Sequence, residues 1–217
     1  MTALERTSAV SSEPAAELHS DALLQASRRL DWRFLLPDPS LQQIAYSGPG
    51  RGALLDSLRL FSESLALLEP AAADGAQYDL VVASAPAYPA LTRAAAAVRP
   101  GGFLYVEIYR PFRLIQPRVR RAAAGAPQLR DATDYVAVIA RQGFGEVAAY
   151  WHWPNFETCA EIVPLDDRAA ILLAFARRRS GAAARLKSAF GRGLVRSGLL
   201  AWAVPCFSVV GRKHTAA

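Results

Sequence analysis

The chain has 217 residues, of which 52% are hydrophobic, so it carries enough apolar material for one substantial core. No run of about 18 apolar residues occurs, and the N-terminus lacks the basic start and apolar block of a secretory signal. The two cysteines and three histidines show no metal-ligand spacing. These observations argue against a membrane-spanning helix, a secreted protein and a zinc centre. We therefore expect a reduced, cytoplasmic protein without a bound metal.

Charge is distributed unevenly along the chain. The first 167 residues contain 15 Lys or Arg and 19 Asp or Glu, whereas residues 168–217 contain 10 basic residues and no acidic one. A basic segment of this kind indicates either an anionic partner or a solvated face. Nucleic acid, an anionic membrane surface, an acidic carrier protein and a phosphorylated substrate all fit the pattern.

The apolar pattern alternates between helical and extended segments. Helices are predicted over 20–37, 53–63 and 88–102 and, ending at Gly143, within 118–144. The aromatic end of the first helix, DWRFLLP, suits packing on a sheet face. Strands are predicted over 41–47, 64–70, 78–86, 103–111, 145–156 and 205–213. Residues 169–179 fit a helix or a strand equally, and residues 182–200 are helical or mixed. The alternation predicts a parallel α/β sheet in one domain over 20–213, with a flexible leader over 1–19 and a basic C-terminal region over 168–213.

Residues 44–55, IAYSGPGRGALL, place three glycines at every second position between a predicted strand and a predicted helix. Glycine allows a backbone with positive φ or a close approach to another group. A strand that runs through such a turn into a helix is a common cradle for dinucleotide and nucleoside cofactors. Two other interpretations stay open. In the first, the turn simply joins strand to helix; in the second, Gly48, Gly50 and Ala53 form the G-x-G-x-x-A fingerprint of nicotinamide cofactors.

Residues 41–110 resemble the cofactor-binding half of a class I S-adenosylmethionine-dependent methyltransferase. The glycine loop is followed, in the order of that family, by YDLVV, AVRPGG and FLYVEIYR, and later by RQGF. The resemblance implies a three-layer, Rossmann-like α/β sheet that is mostly parallel with an antiparallel C-terminal strand. It also implies S-adenosylmethionine as the cofactor and a carboxylate, Glu69, that accepts the ribose hydroxyls. The implied cofactor-binding residues are Tyr46, Ser47, Gly48, Gly50, Gly52, Glu69 and Ser84.

The chain departs from the family pattern in three places. Tyr46 stands where the family carries an acidic residue that reaches the methionine end of the cofactor. Only eight residues, 70–77, lie where the family fits a helix and a third strand. The segment ASAPAYP lacks the Asn/Asp-Pro-Pro-aromatic motif of amino-group methylases. These departures make a degenerate member with a weakened or lost cofactor site an alternative.

An aromatic patch, AYWHWPNFETC, lies outside the cofactor-binding half. Trp151, Trp153 and Phe156 are candidate substrate-binding residues. His152 is a candidate general base, with a hydrogen-bonded structural histidine as the alternative. Strand alternation predicts that His152 faces away from both tryptophans. Glu107, inside a predicted strand, is expected to pair with an arginine because an unpaired buried carboxylate is costly.

Taken together, the residues and the resemblance predict methyl transfer from S-adenosylmethionine to a small-molecule acceptor, plausibly in bacterial secondary-metabolite or glycoconjugate biosynthesis. Two alternatives stay open. One is a non-catalytic, Rossmann-like binding or scaffold protein whose basic region docks a partner. The other is a nucleic-acid methyltransferase, indicated only by the basic region. The oligomeric state is not predicted.

Overall fold

The computed structural model describes residues 20–68, 78–110, 129–177, 189, 191–197 and 200–215. The helices are α1 (Ser20–Arg28), a 3-10 helix (Asp31–Leu35), α2 (Ala53–Phe61), α3 (Tyr88–Ala97), α4 (Ala132–Arg141), α5 (Arg168–Arg177) and the short α6 (Leu200–Ala203). Residues 191–196 are also helical. The strands are β1 (Gln43–Ser47), β2 (Ser64–Leu67), β3 (Tyr78–Ser84), β4 (Val98–Tyr109), β5 (Phe144–Trp153), β6 (Glu161–Pro164) and β7 (Cys206–Lys213).

The described strands form one mixed sheet in the order β2-β1-β3-β4-β7-β5-β6. The four strands from β2 to β4 pair in parallel, and β7 is antiparallel to both of its neighbours, β4 and β5. The edge strand β6 is antiparallel to β5. The chain leaves β1 toward β2 on one side and reaches β3 on the other, so the strand order reverses at β1. In open α/β sheets, ligands bind at the carboxyl ends of the strands at such a reversal.

Helices cover both faces of the sheet. The 3-10 helix and α2 pack on one face, where Trp32 stacks on Tyr105 of β4 with ring centroids 3.8 Å apart. Helices α3, α4 and α5 pack on the other face, over a larger apolar cluster that includes Leu91, Ile139 and Phe207. Two apolar clusters separated by a sheet make three layers.

The three-layer, Rossmann-like α/β fold with a mostly parallel sheet and antiparallel C-terminal strands is confirmed. Three local expectations need correction. The first helix divides into α1 and a 3-10 helix, the helix predicted over 88–102 ends at Ala97 with β4 beginning at Val98, and β6 was not predicted. Residues 169–177, for which helix and strand were both open, are helical. Among the residues that the structure covers, none of the helices has the length and apolar character that a membrane crossing requires. The leader 1–19, Glu69 and residues 178–188 of the basic region lie outside the described residues.

Candidate functional site

The glycine loop follows β1 at the point where the strand order reverses. Tyr46 of β1 pairs with Val82 of β3, so Ser84, two residues further along β3, lies on the same face of the sheet. Ser84 in turn pairs with Glu107 of β4. Three polar side chains from three adjacent parallel strands therefore share one face near the carboxyl edge. This is the edge at which a ligand is expected.

Each glycine of the loop has a different reason to be glycine. A Cβ at Gly48 would lie 2.5 Å from the Tyr46 hydroxyl, so the tyrosine tip already occupies the space beside this residue. Gly52 has φ +131°, which L side chains rarely adopt, and it immediately precedes α2. Nothing lies within 4 Å of a Cβ at Gly50. The same is true of Gly52, so both glycines leave open space beside the backbone, and of the two only Gly52 has a positive φ.

A cavity of about 130 Å³ lies beside this loop. Tyr46, Ser84 and Glu107 line it from the sheet, and Arg29 and Glu157 line it from outside the sheet. The rest of the wall is formed by Pro49, Arg51, Gly52, Ala53, Leu54 and Leu55, which include the first turn of α2. The N-cap residue of α2 is Gly52, which has no side chain to cap the helix. The first N–H groups of α2, which have no intrahelical partner, therefore lie beside the cavity.

A buried ion pair lies at the cavity wall. Arg29, immediately after α1, donates from Nη2 to both carboxylate oxygens of Glu107, at 2.6 and 2.8 Å. Their side chains are only 7% and 8% exposed. Burial raises the pKa of Glu107, and the positive charge of Arg29 opposes that rise. The guanidinium also lies 5.2 Å from the ring centroid of Phe156, a cation–π contact.

Arg29 retains one unused donor. Its Nε is buried and has no hydrogen-bond partner among the described residues. A buried donor without a partner is destabilising by about 1–3 kcal/mol. The positive charge of this guanidinium at the cavity wall favours an incoming anion.

His152 lies on the same face of the sheet but does not line the cavity. Its Nε2 is hydrogen-bonded to Ser208 Oγ at 2.8 Å, and its Nδ1 lies 3.7 Å from Cys159 Sγ. Burial lowers the pKa of His152 to about 3, and the charge of Arg29 acts in the same direction. Both ring nitrogens have protein partners and the ring is neutral near pH 7. The observed contacts favour the structural alternative over a general base.

The aromatic residues divide between the two faces. Trp151 and Trp153 pack with the cluster beneath α5, on the face opposite His152, as strand alternation predicts. The structure therefore does not bring them to the cavity. Phe156 lies between Arg29 and His152, with its ring centroid 4.6 Å from that of the histidine. It packs behind Arg29 and does not itself line the cavity.

The cavity includes some of the predicted cofactor residues and several that sequence reasoning missed. Tyr46, Gly52 and Ser84 line it, whereas Ser47, Gly48 and Gly50 lie in the adjoining strand end and loop. Arg29 was missed because nothing local distinguishes it from the other arginines of the chain. Glu157 lies in the aromatic patch, AYWHWPNFETC. Its carboxylate is the one acidic side chain of that segment and could have marked it as a candidate site residue.

One further feature marks this edge as unusual. Ala85, which follows Ser84, has φ 45° and donates its N–H to the Glu107 carbonyl at 2.8 Å. A non-glycine residue with this φ is strained by about 1–3 kcal/mol. Strained backbone is concentrated at functional sites. Among the described residues, no group of three or more His, Cys, Asp or Glu side chains is arranged to hold a metal ion.

Comparisons with known proteins give distant structural matches only. No protein-family model and no curated protein matches the chain. Solved structures do match, at low identity. A methyltransferase from Archaeoglobus fulgidus, described as S-adenosylmethionine-dependent, is 14% identical with a TM-score of 0.47, over 89% of this chain and 95% of that one. A second, from Thermotoga maritima and described as a possible histamine N-methyltransferase, is 12% identical with a TM-score of 0.43, over 88% and 89%.

A third match is phosphoethanolamine N-methyltransferase 2 of Haemonchus contortus, solved with S-adenosyl-L-methionine. It is 13% identical with a TM-score of 0.42, and the match covers 90% of this chain and 53% of that one. At these identities the likeness concerns the fold alone. The chain is distantly similar to these three proteins, and its Rossmann-like fold rests on its own strand order and pairing.

Proposed function

We propose that this protein binds S-adenosylmethionine at the glycine loop and transfers its methyl group to a small-molecule acceptor. The observation that carries the proposal is the cavity at the carboxyl edge, where the strand order reverses beside an open glycine, Gly50. When bound, S-adenosylmethionine supplies a methyl group already activated by its sulfonium. The protein then needs chiefly to align the reactants and exclude water.

The residues of the loop fit a nucleoside in part. Gly50 leaves open space over the backbone, and Gly52 turns the chain so that the first turn of α2 meets the cavity. Tyr46 supplies a hydroxyl where the family has a carboxylate, and burial raises its pKa, so it stays protonated near pH 7. A neutral tyrosine cannot balance the ammonium group of the cofactor. The ribose role of Glu69 stays a prediction, because that residue lies outside the described ranges.

The acceptor would bind at the open side of the cavity, between the ends of β3 and β4 and the loop that carries Glu157. Ser84 and Glu107 form the inner wall there, and the exposed Glu157 stands at the rim. Glu157 is a carboxylate able to accept hydrogen bonds or a proton. This placement supports a polar acceptor that carries hydroxyl or amine groups. A role in biosynthesis is consistent with such an acceptor and is part of the same proposal.

Isothermal titration calorimetry tests the proposal with S-adenosylmethionine, its demethylated product S-adenosylhomocysteine, and NADH. We expect the first two to bind and NADH not to bind. Gly50→Ala places a methyl group where the structure is open, so it should leave the unfolding free energy unchanged and weaken the nucleoside by roughly tenfold. The control is Gly193→Ala, which also meets nothing within 4 Å. Tight NADH binding, or no binding of either sulfur compound, would refute the proposal.

One observation favours a second candidate, a binding or scaffold protein without transferase activity. The Tyr46 hydroxyl fills the space beside Gly48, and the ion pair of Arg29 and Glu107 forms the inner cavity wall. If Tyr46 blocks the cofactor, the wild-type protein should not bind S-adenosylhomocysteine, whereas the Tyr46→Ala variant should bind it. Binding by the wild type would remove this candidate.

A further inference from the structure

We infer, on the basis of the function proposed above, that Arg29 and Glu107 bind the amino acid group of S-adenosylmethionine, Arg29 its carboxylate and Glu107 its ammonium. The pair would then do the work of the acidic residue that Tyr46 replaces. In this chain the negative charge has moved from the end of β1 to β4, two strands away.

Arg29 meets the requirements for the carboxylate. Its side chain is 7% exposed and lines the cavity, so its positive charge lies at the cavity wall. Phe156 lies against the guanidinium, with its ring centroid 5.2 Å from the central carbon. The uncapped first turn of α2 lines the same cavity, so its N–H groups and the positive end of the helix add to the attraction for an anion.

Glu107 meets the requirements for the ammonium group. Both of its oxygens contact a single nitrogen of Arg29, so each retains lone-pair capacity. The only other contact to its carboxylate within the described residues is the Ser84 hydroxyl at 3.4 Å, which is a long hydrogen bond. Glu107 is also the only buried carboxylate in the described part of the chain. A bound zwitterion would complete an alternating arrangement of two positive and two negative charges.

The size of the cavity agrees with an amino acid group rather than a whole cofactor. The cavity measures about 130 Å³, whereas pockets for whole drug-sized ligands and cofactors begin at about 300 Å³. That space accommodates an ammonium and a carboxylate on a short carbon chain. The nucleoside would then lie outside the cavity, over the exposed backbone of residues 49–52, where Gly50 leaves room.

The alternative is a purely structural ion pair that ties the end of α1 to the sheet. The two interpretations differ in their effect on ligands. S-adenosylhomocysteine has the amino acid group, whereas 5′-methylthioadenosine keeps the nucleoside and the thioether but lacks it. A structural pair affects both ligands equally, whereas a binding pair affects only the first.

Calorimetry on the full chain with these two probes tests the inference. We expect wild type to bind S-adenosylhomocysteine roughly 10- to 100-fold more tightly than 5′-methylthioadenosine. In Glu107→Gln and Arg29→Met this ratio should fall toward one, with the affinity for 5′-methylthioadenosine unchanged. Arg99→Met is the control, because Arg99 forms an exposed ion pair with Asp79 at the opposite edge of the sheet.

Each outcome decides the matter. Equal affinities in wild type would overturn the inference and leave the proposed cofactor intact, whereas no binding of either probe would overturn the cofactor as well. An unchanged ratio in both variants would also overturn it. If the variants fail to fold, wild type is titrated instead with decarboxylated S-adenosylhomocysteine, which lacks the carboxylate. Loss of the carboxylate should then weaken binding roughly tenfold, and equal affinity would refute the role of Arg29.

Discussion

The neutral, buried His152 predicts an acid sensitivity that one substitution should remove. An unfolded chain exposes this imidazole with its ordinary pKa of 6.5, whereas in the folded protein burial lowers the pKa to about 3. Below pH 6.5 the unfolded state therefore binds a proton that the folded state does not. The contribution of His152 to stability is complete above pH 6.5 and is lost as the pH falls toward 3.

The magnitude follows from the two pKa values. One pKa unit corresponds to about 1.36 kcal/mol, so lowering the pH from 7.5 to 5 should remove roughly 2 kcal/mol through His152 alone. Glutamine keeps a neutral group that can hydrogen-bond to Ser208. We therefore expect His152→Gln to lose roughly 2 kcal/mol less than wild type over this interval.

The assay is urea unfolding of wild type and His152→Gln at pH 7.5 and pH 5. The change in unfolding free energy between the two pH values is then compared between the two proteins. Carboxylates such as Glu107 titrate in both proteins and cancel in this comparison. If His152→Gln showed the wild-type pH dependence, the imidazole would be protonated in the folded protein, and its assignment as a buried, neutral group would be wrong.

Three further predictions concern stability and use the same urea assay. Gly52→Ala should lower the unfolding free energy by about 1–2 kcal/mol, because alanine is strained at φ +131°; an unchanged value would contradict this backbone geometry. Lys213→Met should cost about 1–2 kcal/mol, because Nζ donates to three carbonyls at the end of α3, and no loss would mean that water replaces it. Trp32→Ala should cost about 3–5 kcal/mol, whereas Phe34→Ala in the same 3-10 helix, 65% exposed, should change stability by less than about 0.5 kcal/mol. Equal effects of the last two variants would refute the assignment of Trp32 to the core.

The sequence predicts the elements of this fold well where local chemistry decides them. The helical spacing after Gly52 marks α2, and the apolar runs mark β3 and β4. The aromatic DWRFLLP segment packs on the sheet through Trp32, as expected. Strand β6 was missed because its four residues are too few for an alternating pattern to stand out.

The candidate site is harder to predict because its parts are far apart in the chain. The cost of burying a charge predicts that Glu107 pairs with an arginine, and the structure confirms this pairing. Which arginine is a question of topology, since Arg29 lies 78 residues away. The glycine loop marks the correct edge of the sheet. The Tyr46 side chain fills the space beside Gly48, and the spacing of residues in the sequence does not reveal the direction of that side chain.

The position of β7 has a consequence for the order in which the molecule can assemble. This strand is the last of those described, yet it lies between β4 and β5 and is the only strand that joins the β5–β6 pair to the rest. During synthesis from the N-terminus, the four parallel strands emerge first and can pair with one another. Strands β5 and β6 can pair only with each other until β7 joins them to β4. Until Cys206–Lys213 is made, the edge of β4 stays open to any other extended segment. Nascent chains halted before that point should therefore be prone to aggregation.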